Sequence, residues 1–100
     1  MSYSYEFHED VSEDFTDGYT WYETSKKGLG ERFLQFVRKK MDQIAENPEH
    51  YGVRIKSGYR EAQVDVFPYL IVYKVYKQKK TIFVNSIHNM KKDPRKKYRK

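Results

Sequence analysis

Seven of the last ten residues are cations: Lys91, Lys92, Arg95, Lys96, Lys97, Arg99 and Lys100 stand against Asp93 alone. So dense a run can neutralise phosphates or an acidic peptide, giving affinity that falls steeply with salt and reads little sequence. The other end is the opposite, since the first 25 residues hold Glu6, Glu9, Asp10, Glu13, Asp14, Asp17 and Glu23 and no Lys or Arg. Of 20 basic and 14 acidic side chains, 13 of each lie in residues 1–90, so the net charge of +6 belongs to the last ten residues. Arg60 and Glu61 are adjacent opposite charges that read as strand-edge charges or as contacts to a target. His88, near the end of an apolar segment, has the side chain for general acid or base work, although a lone His there is more often structural. Tyr69, Tyr73 and Tyr76 could stack bases, with core packing against Phe33, Phe36 and Trp21 the better expectation. His8, His50 and His88 are far apart and the chain has no cysteine, so neither a metal site nor a cofactor is expected.

The elements that must position these groups follow from periodicity. Tyr3, Tyr5 and Phe7 alternate with Ser4, Glu6 and His8, which predicts a short strand over Tyr3 to His8. Asp10 and Glu13 have capping-box spacing, and Val11, Phe15, Tyr19 and Tyr22 follow at helical intervals, so a helix is expected over Val11 to Thr24. Gly18 is a weak point in it. After the break at Ser25 to Gly30, the stripe Phe33, Phe36, Val37, Lys40, Met41 and Ile44 predicts a second helix ending at Asn47-Pro48. A loop with a short strand near Val53 to Ile55 comes next. Ala62, Val64 and Val66 then alternate with Glu61, Gln63 and Asp65; Tyr69 to Tyr76 reads as a central strand, Lys77 to Lys80 as a hairpin loop and Thr81 to Ile87 as the last strand.

That order implies an α+β single domain, β-α-α-β-β-β, with an antiparallel helix hairpin on an antiparallel sheet. The expected division is a domain over 1–88 and a basic tail over 89–100, removable without loss of the fold. Ten Tyr and six Phe predict an aromatic core. The amino terminus shows no basic and apolar leader pattern and no run approaches the roughly 18 apolar residues of a membrane span, so a soluble cytoplasmic protein that does not contact membrane is expected.

Six segments in order carry a family resemblance: Trp21-Tyr22-Glu23, Gly28-Leu29-Gly30-Glu31-Arg32-Phe33, Ile44-Ala45-Glu46-Asn47-Pro48 with Tyr51, Arg60-Glu61, Phe67 to Val75, and His88-Asn89 with Asp93-Pro94. Together they resemble the RelE/ParE superfamily of bacterial type II toxins, the toxins of plasmid stabilisation systems. The resemblance implies a partner antitoxin that neutralises the chain, either as a hetero-oligomer or with a homodimer, and one of two host targets. RelE-like members cut mRNA in the ribosome, whereas ParE-like members poison DNA gyrase without nuclease chemistry.

Metal-independent RNA cleavage needs an activated 2′-hydroxyl, positive charge on the phosphorane and a proton for the leaving oxygen. Aligned on Tyr69 to Val75, the nuclease Lys positions of the family fall on Glu61 and Gln63, and its two Arg positions fall on Leu70 and Met90. The resemblance therefore implies a toxin that binds its target, with Arg60, Asn89, Lys91, Lys92, Arg95, Lys96, Lys97 and Arg99 as target or antitoxin contacts. A rearranged endoribonuclease would use Arg60, Glu61, His88, Lys91 and Tyr98. A non-toxic relative that binds antitoxin or nucleic acid is the third expectation.

Overall fold

A computed structural model describes residues 3–53 and 58–99. Its elements are β1 (Ser4–Phe7), α1 (Val11–Ser25), α2 (Leu29–Glu46), β2 (Arg60–Gln63), β3 (Tyr69–Tyr76), β4 (Thr81–Asn89) and a 3-10 turn, η1 (Pro94–Lys97). The order matches the expectation. Of the strand expected near Val53 to Ile55, Val53 forms a single antiparallel bridge with Arg60, and Ile55 lies outside the described residues.

The sheet runs β1-β4-β3-β2. β2, β3 and β4 are antiparallel neighbours as expected, but β1 lies parallel to β4, with Ser4 opposite Thr81 and Phe7 opposite Val84. The mixed sheet arises because the helix hairpin carries the chain across one face before β2, so the first strand joins the far edge. That face is the core. Ala62, Val64, Ile71, Tyr73, Ile82, Val84 and Ile87 are buried against Val11, Phe33, Val37 and Ile44 of the helices. The Tyr5 hydroxyl donates to the Met41 carbonyl and Tyr73 to that of Pro48, 2.7 Å away. Burial pushes the Tyr69 phenol up to about 12 and raises Tyr5 and Tyr73 further.

α1 turns its Val11, Phe15, Gly18 and Tyr22 side inward, and the Tyr22 ring meets Phe33 and Phe67 at 5.4 and 4.8 Å between centroids. Trp21 does not join that core: it is 68% exposed, because Tyr22 occupies the inward register and its neighbour therefore points out. The capping box is also absent. Asp10 has an αR backbone (φ −88°, ψ 0°) that does not aim its carboxylate at the helix, and its own N–H donates instead to His8 Nδ1 at 3.1 Å.

The two glycines at the helix crossing permit the close approach. A Cβ on Gly18 would lie 2.5 Å from the buried Phe33 ring, and one on Gly30 would lie 2.8 Å from the backbone carbonyl of Tyr19. The apparent weak point at Gly18 is thus a packing position. For Gly30→Ala the gain of about 1 kcal/mol in helix propensity is outweighed by overpacking of roughly 1–3 kcal/mol against backbone that cannot rotate away. Urea denaturation should show a net loss of stability; an unchanged or higher midpoint would show the helices free to separate.

Two local features break the expected strand patterns. β2 stops at Gln63, and Val66, expected to point inward with Ala62 and Val64, has φ 73° and is 76% exposed. In β4, Val72 opposes Ser86 while Tyr73 opposes Val84, so Asn85 is the extra residue of a bulge.

The chain beyond β4 returns across the outer face of the sheet. Val72 and Ser86, which point away from the helices, are 0% and 2% exposed because residues 94–99 cover them. This differs from the expectation of a tail removable without loss of the fold: its own backbone is hydrogen-bonded to Asn85 and Ser86 of the sheet.

Candidate functional site

The outer face collects most of the chemically capable residues. On β2, Glu61 and Gln63 point outward while Arg60 and Ala62 point to the helices, by the strand alternation. Glu61 aligns with Val72 and Ser86, and Gln63 with Leu70 and His88. Glu61, His88 and Tyr98 therefore share one surface.

The bulge aims Asn85 at the chain end. Its Nδ2 donates to the Arg99 carbonyl at 2.9 Å and to the Tyr59 hydroxyl at 3.2 Å, and its Oδ1 accepts the Arg99 N–H at 2.7 Å. The Ser86 hydroxyl donates to the Lys97 carbonyl at 2.8 Å. The Glu61 side chain is 3% exposed; Lys97 Nζ lies 3.0 Å from its carboxylate and the Tyr98 hydroxyl donates to it. Tyr98 stacks on Tyr59 (5.4 Å, 17°), with the Lys74 ammonium 4.5 Å over the Tyr59 ring and that of Lys97 5.4 Å over Tyr98. One Asp14 oxygen pairs with the Arg99 guanidinium while the other accepts the Ile87 N–H at 2.9 Å. That carboxylate serves β4 where no strand does, because β1 ends at Phe7 opposite Val84.

Arg60 is not with them. Its guanidinium donates to the carbonyls of Glu49 and Tyr51 and lies 3.7 Å from the Glu49 carboxylate, fixing the loop after α2. Neither Arg60 nor Glu61 pairs with the other. Of the tail cations, Lys97 and Arg99 hold buried carboxylates, and Arg95 is bound to Asp93 at 2.7 Å, which holds the Asp93 carboxyl below its usual range. Lys91, Lys92 and Lys96 are exposed and form no ion pair among the described residues. Lys92 and Lys96, with Asp14, Asp17, His88 and Asn89, line a concavity of about 180 Å³ beside α1. Asn89 Oδ1 accepts the Lys91 N–H at 2.9 Å, a local turn rather than a poised amide.

His88 is 7% exposed. Burial, then the nearby Lys97 ammonium, lowers its pKa below the ordinary 6.5, so the imidazole is neutral at pH 7. A depressed native pKa means that folding favours the neutral form. Its contribution is present above pH of about 6.5 and is lost as pH falls through and below that value. Urea unfolding should therefore show stability dropping from pH 7.5 to 5.5 in the wild type and dropping less in His88→Gln; equal pH slopes would refute the assignment.

Sequence reasoning missed Asp14 and Asn85. Asp14 reads as one of seven solvated acids, and Asn85 as a polar residue in a strand; only the end of β1 and the bulge give them partners. Among the described residues no three His, Asp or Glu side chains are grouped to hold a metal ion. As arranged, the surface can bind. Its carboxylate is paired with a lysine and accepts a hydrogen bond from a tyrosine, and its imidazole stands opposite Leu70.

A family model described as the ParE toxin of the type II toxin-antitoxin system parDE matches residues 5–94. The chain belongs to the ParE toxin family. The match runs from β1 to the first residue of η1, so the strap that crosses the sheet begins inside the family's own region and ends beyond it. Solved structures agree in fold. A chain of the chromosomal ParDE system from P. aeruginosa superposes with a TM-score of 0.72 at 14% identity, covering 87% of this chain and 95% of that one. The intact E. coli RelBE complex gives 0.66 at 20% identity, covering 87% and 95%. The isolated E. coli RelE toxin gives 0.66 at 20% identity, covering 94% and 90%. No curated protein sequence matches. Among the described residues no helix is long and apolar enough to cross a membrane.

Proposed function

We propose that this ParE-family toxin acts by binding a host target, DNA gyrase in the first instance, and that a cognate antitoxin neutralises it. The observation carrying this reading is Leu70. It stands opposite His88 on the outer face, where a nuclease of the superfamily would need a guanidinium, while Glu61 below it is closed over by Lys97 and Tyr98. Met90, at the other expected Arg position, is 45% exposed and uncharged. With three tail cations engaged in structural pairs, the contacts to a polyanionic or acidic partner fall to Lys91, Lys92 and Lys96.

One arrangement favours the second reading, a rearranged endoribonuclease. Glu61, His88 and Tyr98 lie on one face, although Arg60 is on the other and Lys91 is beyond the strand. Induction in a bacterial host separates the two. The binding reading expects gyrase-linked DNA breaks with intact reading frames, and codon-phased mRNA cuts in translated genes would overturn it. Unimpaired growth on induction would favour a non-toxic relative.

A further inference from the structure

Val66 is held in a conformation that its own side chain opposes. Its φ of 73° is in the left-handed region, where a β-branched residue is a clear outlier costing roughly 1–3 kcal/mol. The neighbours impose it: Val64 N–H donates to the Tyr69 carbonyl at 2.9 Å, Asp65 lies 3.6 Å from Lys40, and Phe67 is buried among Tyr22, Phe33 and Phe36. The other non-glycine with positive φ among the described residues, Lys80 at 51°, is unbranched and sits in the β3–β4 turn. Val66 gains nothing from packing in return, since it is 76% exposed. A glycine or asparagine would relax the turn, so the exposed isopropyl group costs the chain stability.

Val66 borders a concavity of about 380 Å³ that Leu29, Lys26, Lys27, Arg32 and the edge of Phe67 complete. Three of those lining residues are cations and none is acidic. This is not an anion site at the start of α2, because the Glu23 carboxylate already accepts the N–H groups of Gly28 and Gly30 at 3.0–3.1 Å. An exposed apolar anchor ringed by cations fits an acidic peptide carrying an apolar side chain, with the ammonium and guanidinium groups meeting its carboxylates at the rim.

From this we infer that the Val66 surface, between the α1–α2 turn and the β2–β3 connection, is a docking site for an acidic segment of the antitoxin, one of whose apolar side chains seats on Val66 and Leu29. The inference rests on the antitoxin partnership above. It places a contact on the side of the molecule formed by the helix turn, lined by Lys26, Lys27 and Arg32 and by none of the C-terminal cations.

The test is calorimetric titration of the full chain with its cognate antitoxin, using Val66→Asn and the double variant Lys26→Glu with Lys27→Glu. Val66→Asn should raise Tm by ~2–6 °C through relief of strain and weaken binding by about tenfold or more. The charge reversal should leave Tm unchanged, weaken binding by a similar factor and reduce its salt dependence. A stabilised Val66→Asn protein, or the charge-reversed one, binding with wild-type affinity would overturn the docking site and leave the partnership standing. A wild-type toxin that does not bind the antitoxin would overturn both.

Discussion

Deleting residues 94–100 should bring the protein close to unfolding. The strap covers Val72 and Ser86, and its loss would open their outward side to water. It also removes Lys97 from Glu61, whose side chain is 3% exposed, and Arg99 from Asp14. Because the strap itself covers these carboxylates, its removal both unpairs them and lets water reach them, so each lost pair or hydrogen bond costs about 0.5–1.5 kcal/mol, on top of the apolar surface uncovered at Val72. Summed over the two ion pairs and the hydrogen bonds from Asn85 and Ser86 to the strap backbone, the loss is a large part of the ~5–15 kcal/mol by which a domain of this size is stable. Urea denaturation followed by circular dichroism should show the truncated chain unfolded or with a greatly lowered midpoint. A truncated protein with the wild-type midpoint would mean that the strap is not part of the fold.

The second large effect concerns Asp14, which joins α1, β4 and the strap through one carboxylate. Asp14→Ala would leave the Ile87 N–H without its acceptor and the Arg99 guanidinium, 25% exposed, without its anion. The expected loss is about 2–4 kcal/mol, below that of a fully buried pair because water reaches the arginine. Arg99→Ala should cost less, as Asn85 and Asp14 keep other partners. The two changes should be non-additive by about 1 kcal/mol or more in a double-mutant cycle. Strict additivity would show the pair to be incidental, with each residue acting through separate contacts.

These two carboxylates mark the boundary of what was legible in the sequence. The strand and helix periods of Tyr3 to Phe7, Val11 to Tyr22, Phe33 to Ile44 and Tyr69 to Tyr76 are local, each tied to one face of one element, and they yield the element order directly. The family resemblance was equally local, a matter of residues in order. Parallel pairing of β1, the bulge at Asn85 and the left-handed Val66 depend on what neighbouring elements demand, and no period records them. Trp21 shows the limit of judging by residue type: the period of Val11, Phe15, Tyr19 and Tyr22 already turns Tyr22 inward, and a large aromatic one residue before it points to solvent.

The same reasoning explains the C-terminal charge. Counted from the sequence, seven cations form a general handle for polyanions. In the fold, Lys97 and Arg99 pair with acids that come from the middle and the start of the chain, and Arg95 pairs with Asp93, whose carboxylate caps the turn by accepting the Arg95 N–H. The acidic amino-terminal region and the basic end are therefore partly complementary to each other. Lys91, Lys92 and Lys96 are left exposed, a smaller cationic patch beside an outer face whose Glu61 is already paired.

The outer face, with Glu61 closed over by Lys97 and Tyr98, is proposed as a binding surface and not a nuclease. The most direct measurement adds the purified toxin to two reconstituted systems at matched concentrations: gyrase acting on plasmid DNA, and translating ribosomes with mRNA 5′ ends mapped at nucleotide resolution. Inhibited supercoiling or trapped gyrase–DNA cleavage complexes with uncut mRNA is the predicted result. Codon-phased mRNA cleavage, lost in Glu61→Gln and His88→Gln proteins that remain folded, would contradict it.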